Sequence, residues 1–135
     1  NMEQTAAIQK VSDDACFRFL YPMVKGGINP MRMLDKDLMA RRMQADADMM
    51  RAAYGKNRHT VTQAEREAAV EDVRPIMKQL ADQYGEDIQL LQMPEKAAGK
   101  EKLSCDMVQD MWAKVLALPE QKAAGVIRLA VSELD

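Results

Sequence analysis

The stretch Leu103–Leu118, LSCDMVQDMWAKVLAL, decides how the rest of the chain is read. On a helical repeat, Cys105, Met107, Val108, Met111, Trp112, Val115, Leu116 and Leu118 take about half of the circumference; Asp106, Gln109, Asp110 and Lys114 take the rest. That pattern predicts a deeply seated helix. It carries the single tryptophan and one of the two cysteines, with Cys105 and Trp112 two turns apart on one face.

Downstream, Pro119 makes a corner and starts a last helix, Glu120–Leu134, with a stripe of Ala123, Ile127, Ala130 and Leu134 and with Val126 and Val131 beside it. Upstream, the polar run PEKAAGKEK (94–102) reads as a linker, and Ser104 as the cap of the central helix unless that helix begins slightly earlier. Residues 86–93, EDIQLLQM, alternate like a strand at Ile88 and Leu90 until Leu91 breaks the alternation, and a short helix is expected there.

Further back, Thr62 followed by Glu65 is a capping-box signature that starts a helix near Gln63. Its inward face is Ala69, Val73, Ile76, Leu80 and Tyr84, with Val70 and Met77 alongside; Pro75 falls on the polar side, where a bend near residues 71–73 is expected, and Gly85 ends the helix. Before it, a helix from Pro30 to Tyr54 is expected, with Asn29 as N-cap and Gly55 just past its end. Met31, Leu34, Leu38, Ala45, Met49 and Ala52 form its main stripe, and Met39, Met43 and Met50 form a second one beyond Asp35, Arg42 and Asp46. The first helix is expected over Thr5–Tyr21, with Ile8, Val11, Ala15 and Phe19 inward, Cys16 and Leu20 on the flank, and Pro22 ending it before the Lys25-Gly26-Gly27 connector.

These elements make an all-α protein: a single-domain bundle of about five helices over residues 1–135, a length that suits one core. Composition agrees, being 47% hydrophobic but only 4% aromatic, with twelve methionines. A net charge of −2 gives no electrostatic case for nucleic acid. No stretch approaches the roughly 18 uninterrupted apolar residues of a membrane span, so no membrane insertion is expected.

Cys16 and Cys105 admit three readings: a disulfide, two inert buried thiols, or a reactive pair. The first is preferred. A bridge would close a loop of about 90 residues, worth roughly 4 to 5 kcal/mol on chain-entropy grounds. There is no C-x-x-C, and a Cys-His pair would have to use the single histidine, His59. Asn1 cannot be a translational start, so a processed mature chain or a trimmed segment is expected, and a removed signal peptide is permitted. With the disulfide, this points to a periplasmic or secreted location; free thiols would point to the cytoplasm.

One histidine and no ligand cluster give no zinc site, and no cofactor is expected. Met31 with Met33, Met39 with Met43, and Met107 with Met111 offer thioethers suited to Cu(I). Adjacent acids such as Asp13-Asp14, Asp35-x-Asp37 and Asp46-x-Asp48 point in different directions on a helix and read as a solvated face. Lys56, Arg58 and His59, just ahead of a helix N-terminus, form a candidate anion-binding loop. The sequence therefore favours a non-enzymatic binding module, such as an inhibitor, immunity or accessory protein, whose Met39, Met43 and Met50 stripe meets another protein or a second copy of the chain. A methionine-based Cu(I) carrier and a cytosolic helical adaptor are the alternatives.

Overall fold

The computed structural model describes residues 2–54 and 61–132, apart from the side chains of residues 31, 49–54 and 131. Every regular element among the described residues is helical. In order these are α1 (Met2–Val11), α2 (Asp13–Leu20), α3 (Pro22–Lys25), α4 (Lys36–Tyr54), α5 (Gln63–Tyr84), α6 (Glu101–Leu116) and α7 (Glu120–Ser132), with short 3-10 turns at Pro30–Arg32, Gly85–Leu91 and Pro94–Lys96. The all-α expectation holds, but the described residues form seven α-helices where about five were expected. The surplus comes from the first predicted helix, which is two, and from the turn expected after it, which holds α3.

Ser12 makes the first break. Its backbone is extended (φ −164°, ψ 135°), and its Oγ accepts the N–H of Ala15 at 3.1 Å, so it acts as the N-cap of α2 with Asp13 and Asp14 in the first turn. Because α2 starts in a new phase, Val11 is left 61% exposed, whereas Ala15, Cys16 and Phe17 are buried and Phe19 and Leu20 half-buried. Pro22 makes the second break. It ends α2 as expected, but then serves as the first residue of α3, where a missing N–H costs nothing.

The expected helix from Pro30 also divides. Pro30–Arg32 is a 3-10 turn, and α4 starts only after Asp35, whose Oδ1 accepts the N–H of Leu38 at 2.7 Å. Thr62 caps α5 as its sequence requires, accepting the N–H of Glu65 at 3.1 Å. α5 continues through the exposed Pro75 to Gly85, whose φ of +60° suits glycine and whose N–H reaches the carbonyl of Ala81. Ser104 is no cap: it lies inside α6, fully buried, and its hydroxyl has no hydrogen-bond partner among the described residues.

Contacts among the described residues fall into two compact units, residues 2–54 with 90–109 and residues 61–89 with 110–132. In the first, α1 packs on α2 and α2 on α3. Its core holds Ile8, Ala15, Cys16, Leu34, Leu38 and Cys105, edged by Phe19, Leu20, Ile28, Met33 and Met39. In the second, α5 packs on α7, with Ala69, Ile76, Leu80, Ala123 and Val126 buried. Tyr84 Oη donates to Asp110 Oδ2 at 3.2 Å, and Lys114 Nζ bonds Asp110 Oδ1 at 2.5 Å.

An ion cluster ties α2 and α3 to the start of α6. Arg18 Nε donates to Asp14 Oδ2 at 2.7 Å and its Nη1 to the carbonyl of Lys25 at 2.8 Å, while Lys25 Nζ donates to Asp14 Oδ1 at 3.0 Å and to Glu101 Oε1. Arg18, then Lys25, hold the Asp14 carboxyl below its ordinary range; Lys25, then a backbone N–H, do the same for Glu101. A carboxylate with a depressed folded pKa adds stability above its unfolded pKa and loses it as the pH falls through the folded one. The cluster is exposed, so its contribution is screened by salt. Thermal unfolding followed below about pH 4.5 should show a shallower acid decline for Glu101→Gln than for the unaltered chain. Parallel curves for the two would mean that the cluster does not stabilise the fold.

Candidate functional site

The first unit's core brings Cys16 of α2 and Cys105 of α6 to disulfide distance, with Cα atoms 6.2 Å apart across 89 positions of sequence. That separation is within the range a disulfide spans. Both residues are fully buried. Cys16 belongs to the apolar core that also holds Ile8, Ala15, Leu34 and Leu38. Cys105 shares that core but also borders a polar chain.

The polar chain starts one helical turn along α6. Gln109 Nε2 lies 3.2 Å from Cys105 Sγ, 3.4 Å from the Cys105 carbonyl and 2.6 Å from Gln9 Oε1 on α1. Gln9 Nε2 in turn donates to Asp106 Oδ1 at 2.7 Å and to Asp13 Oδ1 at 3.1 Å, and Lys102 Nζ donates to Asp106 Oδ2 at 2.6 Å. Burial raises the Asp106 pKa while Lys102 and Gln9 lower it, and the two contacts prevail, leaving it below the ordinary range. Sequence reading passed over Gln109 and Gln9. The signal was available, because Cys105-x-x-x-Gln109 is the spacing at which helical side chains meet.

The methionine stripe does not behave as a unit. Met39 is half-buried and packs on the first unit's core, whereas Met43, one turn on, is 65% exposed. The Met50 side chain lies outside the described residues, as do Lys56, Arg58 and His59, so the anion-binding loop is without a structural description. Met23, which sequence reading left in a turn, is 75% exposed on α3. Of the thioether pairs, Met107 is fully buried and Met111 half-buried, Met33 packs on the core, and the Met31 side chain is outside the described residues.

The acidic pairs have local partners. Asp13 and Asp14 receive Gln9, Arg18 and Lys25; Asp35 caps α4; Arg42 Nε lies 3.6 Å from Asp46, and Gln44 donates to Asp48. Arg41 reaches back to Glu3 of α1 at 2.5 Å. Among the described residues no group of three or more His, Cys, Asp or Glu side chains is placed to hold a metal ion, and no helix is long and apolar enough to cross a membrane. A shallow, open depression on α7 is lined by Glu120, Gln121, Ala124 and Arg128. No protein-family model, curated protein or solved structure matches this chain.

Proposed function

We propose that this chain is a non-enzymatic protein-binding module of an oxidising, exported compartment, periplasmic or secreted, held by a Cys16–Cys105 disulfide and using the Met43 side of α4 to meet its partner. The observation that carries the reading is the buried cysteine pair at 6.2 Å between Cα atoms, since such pairs persist as disulfides where thiols are not kept reduced. The surface rests on Met43, a flexible apolar side chain 65% exposed among exposed Ala40, Gln44 and Ala45.

Two measurements test it. Alkylation of the denatured native-source chain should find both thiols blocked until a reductant is added; two free thiols would replace the exported module by the cytosolic adaptor. A photo-reactive residue at position 44, introduced in the source organism, should give a discrete adduct that Met43→Glu weakens about tenfold while Met23→Glu leaves it intact. An adduct of twice the chain mass identifies a second copy as the partner. No adduct, or one indifferent to Met43→Glu, removes the proposed surface.

A further inference from the structure

We propose that the Cys16–Cys105 pair is chemically asymmetric, with Cys16 the sulfur that an incoming thiol attacks and Cys105 the sulfur that leaves. The inference rests on the pair being oxidised, as proposed above. Its basis is Gln109, whose side-chain amide nitrogen is 3.2 Å from Cys105 Sγ. A primary amide has two N–H groups; the contact with Gln9 Oε1 engages one and leaves the other for Cys105. Gln9 is fixed in turn by Asp106 and Asp13, so the Gln109 amide is held in place from α1. Cys16 and Cys105 share one apolar core with Ile8, Ala15, Leu34 and Leu38, and the Gln109 contact falls on the Cys105 sulfur.

A neutral disulfide sulfur gains little from an N–H, but a thiolate gains much, because hydrogen bonds to charged groups are the stronger ones. The charged groups nearby are the carboxylates of Asp106 and Asp13 and the ammonium of Lys102. Gln9 and Lys102 bind both Asp106 oxygens, which reduces that carboxylate's repulsion of a Cys105 thiolate. Thiol–disulfide exchange expels more readily the sulfur whose thiolate is better stabilised.

The step balances as a two-electron exchange. The thiolate of a monothiol such as glutathione forms a bond to Cys16 Sγ; the Cys16–Cys105 bond breaks, and its electron pair leaves on Cys105 Sγ, beside Gln109. A second thiolate then attacks the mixed disulfide, releasing Cys16 as a thiolate and leaving the monothiol oxidised to its own disulfide. Both sulfurs are buried, so attack follows local opening of the core.

The full chain is incubated with glutathione, quenched with acid and N-ethylmaleimide, and mapped by peptide mass. Glutathione is expected on Cys16 and maleimide on Cys105, in about tenfold excess over the reverse arrangement. The bias should vanish in denaturant and in folded Gln109→Leu. An even split in the native chain, or glutathione mainly on Cys105, overturns the proposal, as does a bias that persists in Gln109→Leu. A chain that alkylates fully before any reductant defeats the oxidised reading instead. The asymmetry is then tested on the folded dithiol, where Cys105 must titrate below Cys16 and lose that order in Gln109→Leu.

Discussion

Replacing Cys16 and Cys105 together by alanine is expected to lower the unfolding free energy by about 4 to 5 kcal/mol, the largest effect of any change considered for this chain. A bridge between positions 89 apart would restrict a large part of the denatured chain. Its removal acts mainly on the unfolded ensemble, since alanine at either site keeps a small apolar side chain in the core. Urea denaturation separates this from a packing effect. The double variant should unfold at lower urea with a steeper dependence, because a chain freed of its long loop exposes more surface on unfolding. A loss below about 1 kcal/mol would mean that the two cysteines do not staple the fold.

The second large effect belongs to Phe17. Its side chain is 1% exposed, its ring centroid is 5.4 Å from that of Tyr21 at a tilted angle, and Lys25 Nζ lies 5.9 Å from the ring centre. Phe17→Ala should cost about 3 to 5 kcal/mol, through lost burial and the cavity left behind. Phe19 makes the informative comparison, for helical periodicity alone places it inward and leaves Phe17 out. In the structure Phe19 is half-buried, with Arg42 Cζ 5.7 Å from its ring centre. Chemical denaturation of the two alanine variants should therefore rank Phe17 above Phe19, and the opposite ranking would show that α2 keeps the phase of α1.

That comparison indicates what was legible in the sequence. Helices with strong terminal chemistry could be read closely: Thr62 and Glu65 fixed the start of α5 and Gly85 its end, and Pro119 fixed the corner before α7. The 3-10 segment at Gly85–Leu91 also fell where a short helix was expected. Errors arose where one residue competes with helix propagation from inside a periodic stretch. Ser12 and Asp35 offer side-chain acceptors to the backbone, and at both positions local capping prevails over a continuous apolar stripe. Helical periodicity reports a repeat and not its interruptions. Within α6, the buried set Cys105, Met107, Val108 and Val115 was legible, but Leu116, placed in the same apolar half, is 57% exposed at the last residue of the helix. The cysteines could be listed as a candidate pair but not placed, since connectivity over 89 positions depends on tertiary packing. Gln109 was missed because a glutamine on a polar face has no special signature until the neighbouring sulfur is oriented.

The extended residue at Ser12 has a meaning beyond the capping bond it makes. It divides the N-terminal 20 residues into two independent reading frames for burial. Upstream of it, Ile8 is buried while Val11, which helical periodicity would put on the same face, is 61% exposed at the end of α1; downstream, a fresh count places Ala15, Cys16 and Phe17 inward. An inserted or deleted residue within α1 would therefore shift the burial of α1, while the phase of α2 would still be counted from Ser12. The turn that carries Cys16 thus takes its phase from Ser12, a single serine, and not from the helix before it.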